Sequence, residues 1–253
     1  MRFPTCPLPR LATYQLTALA VAAFLIDHFG SDFFWEVPWF RQLKFMVILW
    51  FFPAGYNAGW RPQPILWWGL VALTAVTVFY SGFYFPLTVL ATMIAVKYIV
   101  DPLMEISLKN IFLFCFVQFV LLWHANWTHF KAMEYGTMAL ILACSGWLVR
   151  HRDIIPHGRT IAGWHLAFSG LSFAAFQYLF QQHMREIWPF MLVMTLLMSW
   201  YMWDFKDSVL LAIKQKPATA FGRFVRFVGH NSLEIFVVHL LLFKAVAWVV
   251  FRA

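Results

Sequence analysis

The sequence predicts an all-α fold: a polytopic transmembrane helix bundle of about nine spans, eight being the alternative, with its N-terminus cytoplasmic. Three observations lead there. Of 253 residues, 62% are hydrophobic and only 12% charged, with a mean hydropathy of +0.69, a balance that a water-soluble surface does not carry. Apolar runs close to the roughly 20 residues that cross a hydrocarbon core recur along the chain. Lysine and arginine fall unevenly between alternate connections.

Each run is expected to be helical, because lipid offers no partner to an open backbone and the alternating pattern of a membrane barrel is absent. The first expected span, 11–30, follows "MRFPTCPLPR". That segment is charged like the start of a signal peptide, yet the run after it lacks a small-x-small cleavage site, so an uncleaved span is expected. The second, 42–60, ends in "GYNAGW", and the third, 64–82, follows Pro64. The fourth and fifth, 84–101 and 109–125, meet at "VDPLMEISLKN", which also reads as a re-entrant or interfacial piece. The remaining spans are 133–149, 160–180, 187–205 and 227–251. No internal repeat or low-complexity stretch divides the chain, and 1–253 reads as one domain.

With the N-terminus inside, the inner segments hold Arg2, Arg10, Arg61, Lys109, Arg150, Arg152, Arg159, Lys206, Lys214, Lys216, Arg223 and Arg226, whereas the outer ones hold Arg41, Lys131, Arg185 and Arg252. The net charge of +8 is therefore accounted for by topology and needs no nucleic acid. Cys6, Cys115 and Cys144 show neither CxxC nor Cys/His ligand spacing, which marks them as packing residues rather than disulfides or metal ligands.

Ionisable side chains inside spans demand a partner or water, and they mark candidate sites. They are Asp27, His28, Lys44, Lys97, Glu134, Glu234, His239 and Lys244, with His165 nearer an inner end. Asp27 and His28 end the apolar run "AVAAFLIDHFG" near the outer surface, and Lys44 lies about one turn below it on the returning span. His124 and His129 in "LLWHANWTHF", with Glu134 and Tyr135 in "MEYG", fall at a similar level. His239 falls near the midplane. The plain alternatives are interfacial histidines for His124, His129, His165 and His183, and snorkelling for Lys97 and Lys244. Adjacent helix residues point about 100° apart, so Asp27 and His28 each need a further partner, and Lys44 suits Asp27. For His239 a helix-packing hydrogen bond and a site role stand side by side. The inner clusters Arg150, His151, Arg152, His157, Arg159 and Lys206 to Arg226 suit anionic lipid or a phosphorylated ligand.

Four segments together resemble the TraX family of membrane acetyltransferases, associated with acetylation of conjugative pilin. They are "FLIDHFG", "KFMVILWFFPAGYNAGW", "YGTMALILACSGWLVR" and "EIFVVHLLLF". In order and spacing they cover nearly the whole chain. Two departures stand out: Lys44 occupies the place where the family usually has arginine, and the asparagine expected near the start of the fourth span has no match in "FYFPLTVL".

The resemblance implies transfer of acetyl from cytoplasmic acetyl-CoA to an acceptor outside a bacterial inner membrane, with the lipid bilayer and a pilin amine as partners. His28 is then expected as general base, Asp27 as its orienting group or the anchor of Lys44, and Lys44 as the oxyanion donor. His239 would support the thioester or carry the proton onward. Asn57, Glu134, Tyr135, His124 and Glu234 would line the substrate path, while Arg150, Arg152, Arg159, Lys206, Arg223 and Arg226 would take the phosphates of CoA. The alternatives are O-acetylation of an envelope glycan or glycolipid, and a non-enzymatic pilus assembly factor or small transporter.

Overall fold

The computed structural model describes residues 13–34, 37–59, 61–81, 88–180, 186–205 and 219–252. Among them the fold is all-helical, with ten α-helices, one 3-10 helix and no strand. The helices are α1 (Thr13–Phe33), α2 (Ile48–Tyr56), α3 (Pro64–Ser81), α4 (Val89–Ser107), α5 (Ile111–Lys131), α6 (Gly136–His151), α7 (Gly158–Phe180), α8 (Trp188–Trp203), α9 (Ala220–His230) and α10 (Ser232–Arg252), and the 3-10 helix is Pro38–Val47. Two compact units divide the chain, one containing Phe51–Asp204, the other Pro7–Trp50 and Phe205–Ala253.

Three expectations of the sequence change. The second expected span is a 3-10 helix before it becomes α-helical at Ile48; Pro38 opens it, where a missing N–H does no harm. The fourth expected span runs on through the joint "VDPLMEISLKN": α4 continues past Pro102 to Ser107, and Asn110 opens α5 by accepting a hydrogen bond from the Phe112 N–H at 2.8 Å. The last expected span begins earlier and is broken, since Ala220–His230 and Ser232–Ala247 meet at Asn231 with a bend of 79°.

No single described helix is long and apolar enough to cross a membrane; the bent pair qualifies only when its halves are taken together, by length and composition. Polar residues interrupt several of the helices. Asp27 lies in α1, Lys97, Asp101 and Glu105 in α4, and His165, Ser169, Ser172 and Gln177 in α7. Leu43–Tyr56, Pro64–Phe79 and Ile111–Ala125 remain as shorter apolar stretches.

In the larger unit, α6 is buried along nearly its whole length and packs against α4, α5 and α7. Glycine sets its approach to α2. A Cβ on Gly55 would stand 1.9 Å from the Ala143 carbonyl oxygen, and one on Gly146 would stand 2.0 Å from that of Phe52. The two backbones thus touch where any side chain would hold them apart. Charged side chains close the helix ends. Lys97 Nζ donates to the Asn57 carbonyl at 2.8 Å and Arg150 Nη1 to that of Tyr56 at 2.9 Å, so cations cover the C-terminal end of α2. Glu134 Oε2 accepts the Val89 N–H at 3.0 Å, an anion at the N-terminus of α4.

In the smaller unit, α1 packs against the 3-10 helix, α9 and α10. Leu16, Ala20, Ala23, Phe24 and Asp27 are buried at helical spacing, while Leu19, Ile26 and Phe29 face outward. A Cβ on Gly229 would stand 2.0 Å from the Tyr14 carbonyl oxygen, so α9 lies directly on α1. Tyr14 stacks on His230, and Thr17 Oγ1 donates to the Gly229 carbonyl at 3.1 Å. Further along, Phe24 meets Phe236 and Phe33 meets Phe243. The pairs ascend together in both chain segments, and α1 and α10 therefore run parallel.

Candidate functional site

The buried stripe of α1 carries Asp27 seven residues after Ala20, which places a carboxylate on the face that packs inward. His28 follows on the flank of that stripe and is half-buried. On α10, Phe236, His239 and Leu240 form the buried stripe. Parallel packing brings the two histidines together. His239 Nε2 lies 3.3 Å from His28 Nδ1, with ring centroids 5.2 Å apart.

The hydrogen bonds order the protons along this pair. His239 Nδ1 stands 3.1 Å from the Ile235 carbonyl, which can only accept, so Nδ1 carries the hydrogen and Nε2 of the neutral ring accepts. His28 Nδ1–H then donates to it. The lone pair of His28 consequently resides on Nε2, the atom turned away from His239. A proton added there leaves the His28 imidazolium held by an acceptor that is itself fixed by a backbone carbonyl. This is the logic by which an orienting group sets the tautomer of a catalytic imidazole.

Aromatic rings wall the pair. Phe24 and Phe236 lie 6.1 and 6.0 Å from His28, and Phe243 lies 5.5 Å from His239. Trp50 braces both walls, 5.1 Å from Phe24 and 4.9 Å from Phe236. Lys44, on the 3-10 helix that packs against α1, is buried like Asp27. A buried ammonium and a buried carboxylate in one small unit are tenable only with partners, because each is expensive to desolvate alone.

The other expected site residues are placed as follows. Glu234 is exposed in the first turn of α10, a favourable place for an anion. Arg223 is exposed and Arg226 partly so, both on α9, where Arg226 Nε reaches His230 Nε2 at 3.4 Å. Asn57, Glu134, Tyr135 and His124 belong to the larger unit and have local work. Asn57 receives Lys97, and Glu134 caps α4. Tyr135 takes a left-handed backbone (φ 61°) before α6 and packs edge-on to Phe51, and His124 Nδ1 bonds the Val120 carbonyl at 2.9 Å.

Of the basic residues in that unit, Arg159 pairs with Asp153 at 2.7 Å. Arg152 is buried, donates to the Trp203 carbonyl and lies over the Trp203 ring. Burial lowers its guanidinium from the ordinary value, Asp153 and Asp204 opposing the shift. Arg150 remains exposed. Lys206 and His183 lie outside the described residues, as does the side chain of His129.

Two features escape a reading of the sequence. The pairing of His28 with His239 joins positions 211 residues apart; Phe24/His28 at a spacing of four and Phe236/His239 at a spacing of three each put two rings on one face of a helix, but do not disclose that the faces meet. His165, expected at an interface, is buried instead. Its Nδ1 lies 2.9 Å from Ser145 Oγ and its Nε2 3.1 Å from Gln118 Oε1, and Ser145 Oγ lies 2.8 Å from Ser169 Oγ. No family model, characterised protein or solved structure matches the chain.

Proposed function

We propose that this protein is a membrane-embedded acetyltransferase of a bacterial inner membrane. In this reading it moves acetyl from cytoplasmic acetyl-CoA to the N-terminal amine of a pilin subunit, the acceptor implied by its likeness to the TraX family. The observation that carries the chemistry is the imidazole pair, His28 Nδ1 to His239 Nε2 at 3.3 Å, in the same unit as buried Asp27 and Lys44.

The reaction follows from that arrangement. As the amine nitrogen attacks the thioester carbonyl, His28 Nε2 takes its proton while His239 holds the opposite ring nitrogen. Lys44 faces the oxyanion, and Asp27 keeps the Lys44 ammonium charged. Collapse of the tetrahedral intermediate breaks the C–S bond, and the proton passes from His28 to the departing sulfur. An α-amine with pKa near 8 suits an imidazole near 6.5 as base, whereas a sugar hydroxyl asks for a stronger one. Arg223 and Arg226 on α9 are the proposed CoA phosphate contacts of this unit. They stand at the end of α1 that meets α9, about 21 Å along the helix from His28, a span suited to an extended pantetheine arm.

Three observations support the membrane setting. Trp68, Phe79, Phe112 and Trp123 are large, apolar and exposed. Parallel α1 and α10 are what an odd number of crossings requires of the first and last. Helix α9 exposes Phe221, Phe224 and Phe227 beside Arg223, the composition of a helix lying at a headgroup boundary.

The test is acetyl transfer by the reconstituted protein from acetyl-CoA to a pilin N-terminal peptide, followed by mass spectrometry. His28→Ala is expected to abolish it, and Arg223→Ala with Arg226→Ala to raise KM for acetyl-CoA while sparing kcat. Full turnover by His28→Ala refutes the scheme. Acetyl ester on an envelope sugar with unchanged pilin mass would move the acceptor to a glycan. A proton-relay transporter would also use paired imidazoles, and it predicts neither binding nor hydrolysis of acetyl-CoA.

A further inference from the structure

The larger unit contains a cavity of about 340 Å³ between α5 and α7, distant in sequence from every residue of the imidazole pair. Its walls are mostly apolar, with Phe114, Cys115, Phe119, Trp164 and Phe168 prominent, and three polar side chains line it: Gln118, His165 and, at the start of α7, Thr160. Both nitrogens of His165 are engaged, by Ser145 and by Gln118 Oε1. Gln118 differs. Its side chain is 4% exposed, yet its Nε2 donor has no hydrogen-bond partner among the described residues. The neighbouring Cys144 thiol is at best a weak one. An amide buried in an apolar wall without an acceptor is costly, and an occupant that brings an acceptor relieves it.

The mouth and its surroundings indicate what that occupant is. Phe119 and Trp164 are themselves largely exposed at the rim, so the cavity opens sideways through an apolar surface rather than into a charged cleft. The residues of the cavity occupy the first halves of both helices, and Lys109 and Arg159 immediately precede those halves. Because Arg159 is paired with Asp153, the cation left for an anion is Lys109; an apolar slot with one inward amide donor and a lysine just before its first helix matches the chemistry of a phospholipid: hydrocarbon tail, ester carbonyl, anionic headgroup. At 340 Å³ it is at the small end for a ligand site and takes one chain rather than two.

We propose that this cavity is a lateral binding site for one acyl chain of an anionic phospholipid, with the ester carbonyl accepting from Gln118 Nε2 and the headgroup lying toward Lys109. The site rests on the membrane setting proposed above, but not on the acetyl-transfer chemistry.

The experiment reconstitutes the full chain in vesicles of phosphatidylcholine and phosphatidylglycerol that contain a phosphatidylglycerol with a photoactivatable diazirine in one acyl chain. Crosslinks are then mapped by mass spectrometry. They are expected to concentrate on the peptides spanning 111–122 and 160–168 over the equally apolar α3. Cys115→Trp fills the slot from an exposed position and should remove that enrichment. Gln118→Leu should lower it about fivefold, the weight of one neutral hydrogen bond, and since this change also deprives His165 of a partner, Cys115→Trp serves as the independent variant. His28→Ala should leave the enrichment intact. Crosslinks as dense on α3 as on α5 and α7, or enrichment that survives Cys115→Trp, overturn the site alone. Failure of the chain to enter vesicles, with no crosslink on any helix, overturns the membrane setting and the site with it.

Discussion

Two buried histidine environments in this protein are built on opposite principles. His165 sits in a polar relay, with Ser145 on one ring nitrogen and the Gln118 carbonyl on the other, and Ser169 continuing the chain of hydroxyls to the Leu166 carbonyl at 3.0 Å. His28 and His239 bond to each other inside a cage of phenyl and indole rings. In the first, both ring nitrogens are held by fixed side chains, and the imidazole acts as a rivet between α5, α6 and α7. In the second, the internal order of the pair leaves its basic nitrogen on the outermost ring. Under the proposed function, the difference separates a histidine that holds helices together from one that takes a proton. Burial alone does not distinguish them; the identity of the second partner does.

Exchanging the losses between the two sites is the sharpest test. His28→Ala should reduce acetyl transfer by about 10²–10⁴-fold, the usual weight of a general base, with the melting temperature barely moved. His165→Ala should do the reverse. It strands the Ser145 hydroxyl and the Gln118 carbonyl in the interior, and the expected loss of stability is about 2–4 kcal/mol by thermal denaturation in detergent, while the folded fraction retains its specific activity. If His165→Ala proves catalytically dead yet stable, the roles of the two sites are interchanged.

His239 comes next in size. His239→Ala should lower kcat by about 10–100-fold without changing KM for acetyl-CoA, because it frees the tautomer of His28 rather than a substrate contact. His239→Gln keeps an acceptor for His28 Nδ1–H and should recover most of the rate; equal damage from both substitutions would show that the second imidazole itself transfers a proton. Gly229→Val should act at a distance. Its side chain collides with the Tyr14 carbonyl, lifts α9 from α1 and moves Arg223 and Arg226, so KM for acetyl-CoA should rise several-fold with kcat preserved. The smallest effect is expected for Lys97→Met, which removes the cation from the α2 terminus at Asn57. About 1 kcal/mol of stability should be lost and catalysis unaffected, measured by thermal shift and turnover together.

Particular residues make clear what the sequence discloses. The run before Asp27 shows a carboxylate in an apolar helix, but Leu19, Ile26 and Phe29 are as apolar as the buried stripe, so only the fold shows that Asp27 shares the inward face with Ala20. Lys44 is recognisable as a cation in an apolar segment, although Pro38 and a 3-10 backbone replace the expected α-helix there. Glu134 and Lys97 are equally conspicuous in the sequence, yet their work is to cap helices. A lone charge in an apolar run signals that a partner exists without saying whether it is a substrate or a helix terminus. His165 was unreadable for the same reason, because both its partners lie on other helices.

The sequence by itself determined that the chain is helical and where most helices begin and end, since these depend on residue types and on local punctuation by proline, glycine and charge. Only the tertiary structure decided that His28 meets His239 across 211 positions, that α10 leaves α9 at a 79° bend, and that α2 and α6 touch through Gly55 and Gly146. Those outcomes depend on which buried face finds which, a choice made by the shape and packing of whole helices against one another.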